Sequence, residues 1–297
     1  INQGIVMGPR IRASGQGITP TGGHGDGGGF RDDIFPLPHS GVCDGVAECR
    51  KAVRTQVKYG ADHIKYVATG GVLSMTATGI GQQFTDEEQI ALVEAAHAMG
   101  RKVAAHAHGK IGMEAALRAG VDSIEHGSFL DAETADLFVA TGAYLVPTLI
   151  AGHTVERIAT EQPDFYVPEV RQKAIEVGPI MKTALRTAYE KGVKIAFGTD
   201  AGVNDHGTNA YEAVLMNEAG MPERAILISA TINAAELIGI TDITGTIEVG
   251  KDADIIAVGG NPLEDISTLL QPSYVMVRGN EVDLDVPPVN LFPWPDI

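Results

Sequence analysis

The sequence predicts an α/β fold of parallel βαβ units, of the kind that closes into a (β/α)8 barrel. Three observations point there. From about residue 45 onward, helical stretches alternate with short apolar runs, and Gly60, Gly100, Gly120, Gly142 and Gly192 each end a helical stretch. The apolar runs lack the apolar/polar alternation of a half-exposed sheet, as strands covered on both faces do. Each run ends on a polar or ionisable residue: Lys65, His106, His126, Thr148 and Asp200. In a (β/α)8 barrel the strand C-terminal ends carry the active site. A doubly wound sheet would show a Gly-rich phosphate turn after its first strand. Residues 22–29 are Gly-rich but open no helical pattern, and they read as a loop.

In order, a helix over 45–59 precedes a strand over 63–68. Thr85 and Glu88 have capping-box spacing at the head of a helix that stops at Gly100. A strand at 103–107, a helix at 111–119, a strand at 121–125, a helix at 131–141 and a strand at 143–148 follow. A long helix over 169–191 leads to a strand over 193–199, then helices over 209–219 and 222–238, with Pro222 in the first turn of the last. Residues 245–258 read as two short strands around a turn, and 274–278 as another, ending in a Gly279-Asn280 turn. The expected organisation is a barrel portion over 1–242, part of a small β-sandwich module over 243–286, and an extended Pro-rich tail over 287–297.

Composition excludes several classes. Apolar residues make up 44% and charged residues 20%, enough for a sizeable core. The 22 basic and 38 acidic residues give a net charge of −16, which argues against a nucleic-acid groove or an anionic membrane surface. No apolar run reaches membrane-spanning length. Cys43 and Cys49 fit no zinc pattern; one disulfide is possible, and two ordinary thiols are the expectation.

Zinc-class metals take imidazole nitrogens and carboxylate oxygens. His106, His126 and Asp200 end three separate predicted strands, so the fold would bring them to one face. Lys65 ends a fourth. A lysine buried in a barrel is costly unless paired or neutralised. Its amine could take up carbon dioxide as a carbamate able to bridge two metals, or it could simply pair with a carboxylate. His24, His153 and His206 read as loop residues near other strand ends, where His24 and His206 would contact substrate. Arg10, Arg12, Arg31, Lys110 and Arg157 are candidate partners for a substrate carboxylate. His97, in an apolar helix, reads as a packing residue.

Together, Lys65, Ala105-His106-Ala107-His108-Gly109, Ser123-Ile124-Glu125-His126-Gly127 and Gly198-Thr199-Asp200 resemble the amidohydrolase superfamily. The nearest members are the imidazolonepropionase-like and Xaa-Pro dipeptidase-like ones, including prolidase and arginine/lysine carboxypeptidase types. Residues 245–254, 260–265 and Gly22-Gly23-His24-Gly25-Asp26 add to the likeness, which runs from about residue 8 to 282. The resemblance implies two divalent ions of the zinc class bridged by carboxylated Lys65 on strand four. His106 and His126, on strands five and six, would hold one ion. Asp200, on strand eight, would hold the other and shuttle a proton, and His108 would serve the scissile carbonyl. It implies hydrolysis of an amide or peptide bond in a dipeptide or an N-acyl amino acid. Two alternatives stand beside it. One is a mononuclear cyclic amidase such as an imidazolonepropionase, against which Lys65 speaks. The other is an inactive partial chain acting as a scaffold or binding protein.

The His106–His108 pair mimics the family's first-strand His-x-His, but its place after the Lys65 strand and a full helix puts it on strand five. A third strand would then lie near residues 9–14, six of eight βα units would be visible, and a further segment or chain carrying His-x-His would complete the barrel. A small-molecule substrate, a homo-oligomer and a cytoplasmic location complete the expectation; with Ile1 first, a signal peptide lies outside this reading.

Overall fold

The computed structural model describes residues 1, 3, 5, 8–26 and 41–285. Among them, strands β1 (Ile64–Val67), β2 (Val103–Ala107), β3 (Ser123–His126), β4 (Tyr144–Val146) and β5 (Lys194–Ile195) form one parallel sheet in sequential order. Helix α1 (Gly45–Lys58) precedes β1. Helices α2 (Asp86–His97), α3 (Lys110–Ala119) and α4 (Ala132–Thr141) connect the next strands, and α5 (Leu149–Glu161) with α6 (Pro168–Glu190) lies between β4 and β5. The strand order never reverses, so the sheet has no switch point of the doubly wound kind.

The local signals act as their chemistry requires. The capping box at α2 is complete: Glu88 N–H donates to Thr85 Oγ1, and Thr85 N–H donates to the Glu88 side chain. Gly120 and Gly142 end α3 and α4 in the left-handed conformation, at φ 93° and 75°.

The pleat sorts the side chains onto two faces. Ile64, Tyr66, Val103, Ala105, Ile124, Leu145 and Ile195 join the apolar core shared with the helices. Tyr144, Val146 and Ala196 form a separate small cluster on the opposite, inner face. Lys65 and His106 share the inner parity, since Lys65 is registered with Ala104 and Val67 with His106.

Several boundaries differ from the sequence expectation. The neighbour of β1 on its free side is not 9–14 but Ile18, which pairs parallel with Tyr66, while Thr19 bridges to Val42. Arg10 instead reaches Asp252 and Asp254, and Arg12 reaches Asp62, so 9–14 is a strap held by charge pairs. The 193–199 strand shrinks to β5 because Phe197 N–H leaves the sheet for the carbonyl of Ser229. That carbonyl lies in a π-helical turn, Ser229–Asn233, which splits the expected 222–238 helix into α8 (Glu223–Ile228) and α9 (Ala234–Ile238). Cys43 and Cys49 are disulfide-bonded rather than free thiols. At the C-terminal end, β6 (Ile255–Val258), β7 (Pro272–Val277) and β8 (Asn280–Glu281) make a single antiparallel sheet where a sandwich is expected. Its tight turn is Arg278-Gly279, both at positive φ, one residue earlier than expected. The 287–297 tail lies outside the described residues. No helix among the described residues is long and apolar enough to cross a membrane.

Helix α5 lies where the sequence suggested only a loop, and a buried carboxylate explains it. Glu212, on α7 (Tyr211–Glu218), is fully buried and accepts from the N–H groups of Leu149 and Ile150 at 2.9 and 2.7 Å. Burial pushes its carboxyl up to about 8, against the opposing pull of the two backbone donors. Between its ordinary 4.5 and about 8 the folded chain therefore holds a proton that the unfolded chain has lost. The stabilisation is full below 4.5 and lost as pH rises through about 8. Denaturant unfolding across this window should show Glu212→Gln losing a downward slope that the parent chain has. Parallel slopes would refute the shift.

Candidate metal centre

At the C-terminal end of the sheet, one cavity of about 280 Å³ brings together Lys65, His106, His126 and Asp200 with His24 and His108. The ring centroid of His106 lies 4.5 Å from that of His24, 4.8 Å from His108 and 4.7 Å from His126. His108 and His126 stack at 4.8 Å. One nitrogen from each of His106, His108 and His126 falls within 4.8 Å of the other two.

The strand ends explain how. His106 reaches the cavity by inner parity, and His108, two residues on, by the same period. His126 is registered with Ala107, which faces the helices, so by parity it should point away. Its backbone turns left-handed, φ 73°, and this swings the ring inward. Thr148 (φ 49°) and Asp200 (φ 52°) show the same turn at the ends of their strand runs. Left-handed non-glycine residues cost free energy and cluster at functional sites.

Hydroxyl groups fix three of the rings. His108 Nδ1 lies 2.7 Å from Ser128 Oγ, and His126 Nδ1 lies 2.6 Å from Thr148 Oγ1. His24 Nδ1 lies 2.8 Å from Ser74 Oγ. The loop carrying Ser74 is tied down by Lys173 of α6, whose Nζ donates to the carbonyls of Gly71 and Ser74. Gly71 lies against the His24 ring so closely that a Cβ there would overlap it. Gly71→Ala should push His24 off His106 and lower stability by about 1–3 kcal/mol, read as a drop in Tm; an unchanged Tm would show that the ring yields freely.

Burial dominates the electrostatics and keeps the imidazoles neutral. It holds His106 and His126 well below the ordinary histidine value and His108 down at about 3, and the neighbouring imidazoles and Lys65 add to the effect. His24 is lowered for the same first reason, with Lys173 and Lys65 contributing. Asp200 stands open at the cavity rim, yet the protein around it withdraws it from water enough to raise its carboxyl, with Lys65 pulling the other way. Neutral imidazole is the metal-binding form. Nε2 of His106 is buried and has no hydrogen-bond partner among the described residues, an arrangement costly unless something occupies the position. The donor set fits a zinc-class ion: imidazoles, a carboxylate and hydroxyls orienting the rings from behind.

Other expected residues fall elsewhere. His206 lies exposed on the loop after Asp200, outside the cavity. His153 is in α5 rather than a loop, and with Arg157 it lines a separate cavity of about 500 Å³. Lys110 pairs with Asp131 and Glu133 at the surface. His97 is exposed and pairs with Asp122 rather than packing in an apolar face. Arg31 lies outside the described residues.

Ser128, Ser74 and Lys173 were not singled out from sequence, and nothing in their local pattern marks them. Glu212 carried a legible signal: it shares a helical stripe with Leu215, Met216 and Ala219, all buried, and an acid in an apolar stripe needs an internal partner.

A family model described as "Amidohydrolase family" matches residues 1–282. Ochratoxinase from Aspergillus niger is 35% identical over 298 aligned positions, covering 93% of this chain and 60% of that protein. The chain thus spans about 60% of the length of the curated relatives it matches first. Among solved structures, a Xaa-Pro dipeptidase with methionine bound in its active site superposes with a TM-score of 0.90 at 50% identity, covering 95% of this chain and 70% of that one. A prolidase complexed with N-methylphosphonate-L-proline gives 0.84 at 35% identity, covering 95% and 71%.

Proposed function

This chain belongs to the amidohydrolase family, and we propose that it hydrolyses an amide or peptide bond in a small substrate, a dipeptide or an N-acyl amino acid. The observation that carries the reading is the meeting of three neutral imidazoles with Lys65 and Asp200 in one cavity. His106, His126, Asp200 and a carboxylated Lys65 would hold two divalent ions, zinc by donor type. When bound, such ions lower the pKa of a water and polarise a carbonyl.

The chain's own residues supply the rest. Asp200 takes the proton of the attacking water and returns it to the leaving amine. His108, held from behind by Ser128, presents its other nitrogen to the scissile carbonyl oxygen. Val155, Val177 and Met181 add an apolar part to the cavity lining. One observation favours a second role for His108: its nitrogen lies as close to His106 and His126 as a third ligand would. Metal stoichiometry of a His108→Asn protein separates the two roles.

The inner face of the sheet borders a further cavity of about 450 Å³, where Ala104, Ser123, Glu125 and Gly198 stand. Further βα units, from the same product or another chain, would cover this face and close the barrel. Residues 1–242 then read as the barrel portion and 243–286 as part of a small β module.

A panel of dipeptides and N-acyl amino acids, assayed with metal-stripped and zinc-loaded protein, tests the function. Turnover only in the loaded sample is expected. Equal rates for a dipeptide and its C-terminal amide would exclude recognition of a free carboxylate.

A further inference from the structure

We infer that Glu212 is a positioning residue for His126. It takes over the capping of α5 so that the hydroxyl of Thr148 is left to orient the ring. The inference rests on the reading of His126 as a ligand.

Thr148 occupies the N-cap position of α5, where a threonine ordinarily turns its oxygen to the first free N–H groups of its own helix. Here it makes no such bond. Its hydroxyl points the other way, to Nδ1 of His126 at 2.6 Å, and its backbone is left-handed. A β-branched residue adopts that conformation only under constraint. The constraint is visible one residue on. The two oxygens of Glu212, 63 and 62 residues along the chain, receive the N–H groups of Leu149 and Ile150, the latter a donor that an N-cap side chain ordinarily takes. Carboxyl oxygens that accept from both donors satisfy the helix N-terminus whether or not the group is ionised. All the parts are inside: Glu212 is 0% and Thr148 2% exposed, so water cannot substitute for either.

The consequence for the ring is specific. With Nδ1–H donating to Thr148 Oγ1, the lone pair of Nε2 faces the cavity. A hydrogen-bond partner on the far nitrogen fixes a ligand's tautomer and orientation in this way, and losing it typically weakens metal binding by about 10–100-fold. If Glu212 fails, Thr148 can relax to an ordinary cap and release the ring.

The test uses 15N-histidine-labelled, metal-free protein, with the His126 resonance assigned by His126→Gln. Long-range proton–nitrogen correlation reads which nitrogen carries the proton, and zinc affinity is measured in parallel by chelator competition. In the parent chain the proton should sit on Nδ1, and Thr148→Ser should keep it there. Thr148→Val and Glu212→Gln should each shift it toward Nε2 and weaken zinc binding by about tenfold. The double variant should be no weaker than Thr148→Val alone, because both act through one hydroxyl. A parent ring protonated on Nε2 overturns the inference. So does a folded Glu212→Gln protein with an unmoved tautomer, or a double variant whose losses add. Should the parent bind no zinc while the tautomers move as expected, the ligand reading falls and the positioning role stands.

Discussion

Alanine in place of His106 should abolish zinc-dependent stabilisation and reduce amide hydrolysis by about three orders of magnitude, on the order of 4 kcal/mol in transition-state terms. The two readouts follow from one feature. His106 is buried with an Nε2 that meets no partner among the described residues, and burial keeps the ring neutral. An unsatisfied buried polar nitrogen costs about 1–3 kcal/mol, so in the metal-free chain His106 contributes little to stability and its removal should leave Tm nearly unchanged. Metal added to the parent should stabilise the fold by mass action, about 2.7 kcal/mol at a hundredfold excess over Kd. The alanine protein should lack that increment. Thermal melts of both proteins with and without zinc measure it. A His106→Ala protein that still gains the full increment would remove His106 from the ligand set, and with it the centre proposed here.

Residues whose chemistry and strand period agree were legible in the sequence. Lys65, His106 and His108 point inward because a two-residue period puts them there, although Lys65 is the second residue of β1 rather than the end of its run. His126 and Asp200 were found by residue type and position, but their route into the cavity was not legible. It depends on left-handed backbone turns, which histidine and aspartate adopt more readily than most residues but too rarely for sequence to place. Tertiary partners decided the remaining differences. Helix α5 was missed because its cap arrives from α7, and β5 was overestimated because Phe197 bonds to Ser229 instead of a neighbouring strand. The strand expected at 9–14 became a strap because Arg10 found two aspartates more than 240 positions along the chain. His206 shows the limit of reasoning from strand ends: a loop that leaves the right place in the sheet can still carry its histidine to the surface.

The second large effect is expected at Lys65. As an ammonium it opposes the centre: its charge helps to depress His24, His106, His108 and His126. The same field would repel a divalent ion by about 3 kcal/mol for each pair of unit charges roughly 5 Å apart at an effective dielectric near 20. Among the described residues Lys65 makes no ion pair that would cancel this charge, so the simple pairing alternative has no partner there. Conversion to a carbamate replaces the cation with an anion at the same place, and repulsion becomes attraction of similar size. Metal uptake by the stripped protein should therefore depend on dissolved carbon dioxide: weak in degassed, bicarbonate-free buffer and restored when bicarbonate is added. Lys65→Ala should lose this dependence along with most of its metal, lowering activity by about a hundredfold or more. Acetate or propionate, entering the space the side chain vacates, should recover part of both. A Lys65→Ala protein that is metal-replete and fully active without added carboxylate would show that Lys65 bridges nothing.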